Sequence, residues 1–204
     1  MRFIPLAGIL LVVVLALGWR PWLQHRRYGA TGLLIFRTRD RWQLVRDGLG
    51  AVLFLLLIAQ AAAVALRPES IAPLWAYRLS APGMEHAAGA LLLFGGVALL
   101  VAAQLHLGPA WRIGIEEGAR PGLVTRGLYR FCRNPIFLAL IIIVAGYALL
   151  LPTRLSLVLL VCTYLGVRRQ IAAEEAYLLR AYGDGFREYA RRTGRLLPGL
   201  GRLS

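Results

Sequence analysis

Five stretches of this chain, residues 1–17, 48–66, 87–103, 136–151 and 155–167, are nearly free of charge. A soluble domain has no interior large enough for so many consecutive apolar side chains. In lipid every backbone polar group must find its partner within the segment, so apolar runs of this kind become helices. We therefore read an all-α integral membrane protein with about five transmembrane helices. The last two runs hold sixteen and thirteen residues, short of the ~20 needed for a full crossing. They can lengthen into their flanks, the last one through Arg168 toward Glu174, or form a buried hairpin that does not cross completely.

Charge orients this frame. The chain is 58% hydrophobic yet carries a formal net charge of +14, and all 24 basic residues are arginine. Seven lie in residues 18–47, five in 104–135 and eight from 168 onward, leaving Arg2, Arg67, Arg78 and Arg154 for the opposite side. Cytoplasmic loops collect arginine, which predicts an inner or plasma membrane protein with its N-terminus outside and its C-terminus in the cytoplasm. A pI near 11.2 in a soluble chain would suggest nucleic acid. Here topology accounts for the arginines, and no nucleic-acid partner is expected. The first apolar run reads as a retained helix and not a signal peptide, although Ala16-Leu17-Gly18 precedes Trp19-Arg20-Pro21. Trp19, Trp22 and Trp42 suit interfacial anchors, and Leu33-Leu34-Ile35-Phe36 suits a segment lying among head groups. Ala59, Ala63 and Gly95-Gly96 offer small faces for helix packing.

Several chemistries fall away. Cys132 and Cys162 would lie at different membrane depths and should not bridge. His25, His86 and His106 sit in separate segments without metal-ligand spacing. Neither a phosphate-cradling glycine loop nor a Gly-x-Ser-x-Gly elbow is present.

What remains gathers around the last hairpin. Arg133-Asn134-Pro135-Ile136-Phe137 enters it, a turn at Pro152-Thr153 reverses it, and Glu174-Glu175 leaves it. Arg133 lies nineteen residues before Pro152, and position 172 lies nineteen after Thr153. Two arms of equal helical rise bring the arginine and the carboxylates within about a turn of each other. Before the arginine runs a polar, glycine-punctuated loop, residues 122–134, where glycine permits close backbone approach to a ligand and Pro135 suits the first turn of a helix. After the carboxylates, Leu178, Tyr182, Phe186 and Tyr189 form a helical apolar stripe, the mark of a C-terminal cytoplasmic amphipathic helix. Gly183 and Gly185 should break it. Two adjacent carboxylates at a membrane helix end need cations, which Arg133, Arg168, Arg169 or a cationic ligand could supply.

The run from Leu123 to Phe137, followed by Glu174-Glu175, Gly183, Phe186, Tyr189 and Leu197-Pro198, resembles the isoprenylcysteine carboxyl methyltransferase family and its phospholipid methyltransferase relatives. The likeness covers about residues 105–200 and keeps order and spacing. Asn134 stands where the family usually has His, and Phe137 where it usually has Tyr; Asn cannot titrate near neutrality and Phe lacks the hydroxyl. The resemblance implies an S-adenosylmethionine-dependent methyltransferase acting on a lipophilic acceptor, with carboxyl O-methylation of a prenylated or other lipid substrate as the expected reaction. It implies catalytic roles for Arg133 and Glu174. Cofactor contacts would come from Leu123, Val124, Gly127, Tyr129, Arg133, Asn134, Phe137, Glu174 and Glu175. A single membrane domain then spans residues 1–204, with three helices in 1–103 and the cofactor loop, hairpin and tail in 104–204. Membrane sterol and acyl reductases resemble the same architecture and would use NADPH, whose 2′-phosphate should attract arginines and not two carboxylates. A non-enzymatic membrane protein with a basic face is the third reading.

The arginine distribution yields a direct test of topology. A reporter fused after Ser204 should read as cytoplasmic and one inserted at Ser80 as external. A cytoplasmic signal at Ser80 would defeat the five-helix reading.

Overall fold

The computed structural model describes residues 2–34, 40–67, 69, 82–113 and 122–203. Ile35 and Phe36 of the expected head-group segment, with Arg37, Arg39, Arg78, Ser80 and Arg120, lie outside the described residues. Five long helices are present: α1 (Ile4–Tyr28), α2 (Arg41–Leu66), α3 (Pro82–Leu107), α4 (Pro135–Leu150) and α5 (Arg154–Tyr182). A shorter α6 (Asp184–Arg192) follows. Four of the long helices are long and apolar enough to cross a membrane, and α4 is the shorter apolar one. The molecule is an integral membrane protein. The last apolar run lengthens into its flank, so that one continuous α5 carries the Glu pair well beyond residue 167.

The first apolar run also continues beyond its expected end. Residues Val13–Trp19 form a π-type turn whose wider winding leads into Arg20–Tyr28. Such a turn loosens the helix just where Pro21 lacks an amide and its ring would crowd the preceding turn. Arg20 is consequently no loop residue. It is 1% exposed, donating to Gln24 Oε1 at 2.7 Å and to the carbonyls of Gln104 and Gly108 at 3.3 and 2.9 Å. Its guanidinium stands 4.6 Å over the buried Trp111 ring. A cation at the C-terminal end of α3 complements that helix's dipole and satisfies carbonyls that lack a helical partner.

The most extensive helix interface joins α3 and α4. Its closest approach is at Gly146, where an added Cβ would lie 2.5 Å from the Leu93 backbone nitrogen and 2.7 Å from the Gly89 carbonyl oxygen. Gly96 packs on Ile143 in the same seam, whereas its neighbour Gly95 faces open space. The packing face of α2 differs from the expected one: Ala59 is exposed and Ala63 half-buried, while Leu57, Ala61 and Ala65 are buried. The alanines alternate around the helix, and their type alone does not reveal which pair faces inward.

The α4–α5 turn is closed by a buried polar cluster. Thr153 caps α5 through Ser156 N at 3.0 Å, and Gln60 of α2 donates to Thr153 Oγ1 at 2.7 Å and Ser156 Oγ at 3.1 Å. The Tyr147 hydroxyl donates to Leu57 O and Gln60 Oε1 at 3.0 and 3.1 Å. In an apolar surrounding each of these groups needs its partner. The cluster therefore fixes where the hairpin reverses, and with it the level at which both arms emerge.

The glycine seam predicts a contrast. Gly146→Ala must push backbone away from backbone and should destabilise the protein in detergent by about 1–3 kcal/mol. Gly95→Ala meets nothing and should be neutral or raise stability by about 0.5–1 kcal/mol through helix propensity. Thermal unfolding in the same detergent compares them, and equal effects would contradict the seam.

Candidate functional site

The motif and the Glu pair meet as the spacing predicts, but with a different partner assignment. Arg133 Nε donates to Glu175 Oε1 at 3.0 Å, and the two side chains are 2% and 8% exposed. Glu174, expected opposite Arg133, points elsewhere. Consecutive helical residues are turned about 100° apart, so when Glu175 faces the motif its neighbour cannot.

Four of the five N–H donors of Arg133 have partners. Its Nη1 donates to the carbonyls of Ala190, at 2.9 Å, and Thr193, while Nη2 donates to Gly201 O at 3.0 Å. The guanidinium thus ties the start of α4, α5 and the C-terminal tail together. Glu175 is equally committed. It accepts from Asn134 Nδ2 at 3.3 Å and pairs through Oε2 with Arg195 Nη2 at 2.7 Å. Asn134 also donates to Arg195 O at 3.0 Å, so its amide bridges the pair and the tail. A titrating side chain is not required for that task. Gly194 is essential to the tail's path, since a Cβ there would lie 1.9 Å from Leu197 O.

The glycine loop is clipped over this core by the stripe that follows the Glu pair. Tyr182 accepts from Gly122 N at 3.1 Å, and Tyr189 donates to Tyr129 O at 2.6 Å. Phe186 is 1% exposed beneath them. The break expected at Gly183 is present, with φ +52°, and α6 restarts at once with Gly185 inside it. Gly127, at φ +63°, packs so close to His106 that a Cβ would lie 3.0 Å from its ring. This histidine is a packing partner of the loop. Leu123, Val124 and Phe137 are half-buried, and Tyr129 is buried.

Among the described residues, Glu174 and Arg195 keep hydrogen-bonding capacity that no partner uses. Glu174 is half-buried and accepts one hydrogen bond, from Gln170 Nε2 at 3.1 Å. Tyr129 lies near enough for the Glu174 charge to act on it; burial first, and that charge second, push its hydroxyl far above the usual phenol range. It stays protonated. Burial also raises the Cys132 thiol, which keeps it from acting as a thiolate nucleophile. Arg195, which the sequence reading did not single out, keeps its Nε buried without a hydrogen-bond partner and its side chain 40% exposed. Its only sequence signal was its place three residues before Pro198.

No curated protein matches the sequence significantly. Among solved structures, that of the eukaryotic intramembrane Ras methyltransferase, isoprenylcysteine carboxyl methyltransferase, is similar with a TM-score of 0.56 at 15% identity. The match covers 97% of this chain and 63% of that one, so the chain spans less than two thirds of its structural relative. At that identity the likeness speaks for the fold. The phospholipid methyltransferase family matches residues 84–185, half of the chain, and this range contains the glycine loop, the Arg133 motif, the hairpin and both carboxylates. The chain belongs to the phospholipid methyltransferase family.

Proposed function

We propose that this protein transfers a methyl group from S-adenosylmethionine to a lipophilic acceptor presented by the membrane, and that the acceptor atom is a carboxylate oxygen. The observation that carries the proposal is the division of labour between the two carboxylates: Glu175 is consumed by Arg133, Asn134 and Arg195, whereas Glu174, among the described residues, accepts a single hydrogen bond, from Gln170.

The residues present fit that cofactor. Its cationic groups suit Glu174, and its carboxylate suits Arg195, whose buried Nε lacks a partner. The half-buried Leu123, Val124 and Phe137 supply apolar surface for its ring system. When bound, S-adenosylmethionine supplies a methyl carbon made electrophilic by its sulfonium, and transfer to an ionised carboxylate needs no general base. What the protein must provide is alignment and exclusion of water. The clipped loop and the folded-back tail provide both. Arg133, Asn134 and Glu175 act in this scheme as the frame, holding the loop, the helix ends and the tail at fixed distances. The structural relative's name describes methylation of an isoprenylcysteine carboxyl, and a prenylated or otherwise lipid-borne carboxylate is the acceptor class we assign here. NADPH is disfavoured, because a 2′-phosphate should attract arginines and the site presents two adjacent carboxylates, Glu174 and Glu175. The arginine distribution supports a site at the cytoplasmic face of an inner or plasma membrane, with the N-terminus outside.

Two variants separate frame from ligand contact. Arg133→Ala leaves Glu175 buried without its main cation and should destabilise the fold by about 3–5 kcal/mol. Glu174→Gln should keep the melting temperature and weaken S-adenosylhomocysteine binding, read by calorimetric titration of the detergent-purified protein. Unchanged affinity in Glu174→Gln would remove this site. Product chemistry tests the acceptor independently. Tritiated methyl transferred to a membrane lipid extract should be released by mild base, as from an ester, and base-stable label would refute carboxyl methylation while leaving methyl transfer intact.

A further inference from the structure

Glu174 is held from a part of the chain that lies outside the family match. Its Oε1 accepts from Gln170 Nε2 at 3.1 Å, and Gln170 Oε1 accepts in turn from Arg46 Nε at 3.2 Å. Arg46 belongs to the start of α2, which packs on α5, whereas the matched region begins at residue 84. The guanidinium is braced from its other side. Nη2 donates to Gln43 Oε1 at 2.6 Å and stands 3.7 Å from Asp40 Oδ2, and Asp40 itself caps α2 through Trp42 N at 2.9 Å. Gln43 is 3% exposed, and its amide nitrogen is occupied by Asp47 at 3.0 Å.

The chain of bonds has a direction that follows from the groups involved. Arginine only donates, so the Gln170 atom facing Arg46 must be the carbonyl oxygen. The amide nitrogen then has to face Glu174. With Arg46 absent, the amide could turn over and present an oxygen to the carboxylate, which would repel it. We infer that Arg46 and Gln170 are positioning residues for Glu174: Arg46 locks the Gln170 amide in the orientation that presents a donor to the carboxylate and so aims it toward the ligand. The inference rests on the reading of Glu174 as the ligand-binding carboxylate. Arg46 and Arg112, which stands over the Tyr177 ring at 5.8 Å, both also act on Glu174 directly by their charges, but of the two Arg46 is the one bonded to the Gln170 amide.

The test is a mutant cycle on the detergent-purified full chain, with S-adenosylhomocysteine as the titrant. Arg46→Met and Gln170→Leu should each weaken binding about fivefold or more with the melting temperature unchanged, and Arg46→Lys, which still donates, should restore part of the loss. In a Glu174→Gln background the same substitutions should cost nothing further. Equal losses in both backgrounds would show that the chain merely supports the fold and would overturn the inference, as would unchanged affinity in Arg46→Met when Glu174→Gln has lost binding. If Glu174→Gln binds normally, the underlying site reading fails and the positioning role with it. Should Arg46→Met not fold, Gln170→Leu cuts the chain at its middle link and decides the question alone.

Discussion

A buried ion pair at a membrane boundary is tolerable only when every remaining donor and acceptor is also satisfied, because desolvating the two charges costs more than their attraction alone returns. The Arg133–Glu175 pair meets that condition by drawing in the rest of the site. The guanidinium requires the carbonyls of Ala190, Thr193 and Gly201, which compels the tail to fold back after α6. The carboxylate requires Asn134 and Arg195, which fixes the first turn of α4 and one residue of the tail. The tight path at Gly194, the clip from Tyr189 to the loop and the restart of the helix after Gly183 are consequences of satisfying one pair.

The pair also depends on the far end of the hairpin. Helices α4 and α5 bring Arg133 and Glu175 to one level only if they reverse at a fixed residue. The Thr153 cap and its bonds from Gln60 hold that turn against α2. Between the two polar clusters lies an apolar arm whose outer side is pressed against α3 through Gly146. Register is thus pinned at both ends by hydrogen bonds and in the middle by close packing, an arrangement suited to a bilayer, where burial of apolar surface does not itself bring helices together.

Much of this was legible from residue order. Charge-free runs located the helices, Pro152-Thr153 located the turn, and equal arm lengths placed Arg133 opposite the Glu pair. Helical phase was not legible. Glu174 and Glu175 are adjacent, and the choice between them turns on about 100° of rotation that depends on side-chain packing along the whole arm. The same uncertainty hid the inward face of α2, where Ala61 and Ala65 pack and Ala59 does not. Arg20 misled for another reason: an arginine next to Pro21 and between tryptophans reads as a loop, yet carbonyls at the end of α3 give it a buried place inside a helix. Long-range partners of that kind leave no trace in local spacing.

The family match and the site do not have the same borders. Residues 84–185 contain Glu174, Glu175, Arg133 and the loop, but Arg195 and the carbonyls that hold Arg133 lie after that range, and Arg46 lies before it. The matched region supplies the carboxylates, the hairpin that presents them, and Arg133 and Asn134 on Glu175, while Arg195 of the tail adds a second cation to Glu175 and Arg46 of α2 reaches Glu174 through Gln170. Two chemically identical side chains, one residue apart, thus meet different partners: Arg133, Asn134 and Arg195 for Glu175, and Gln170 for Glu174.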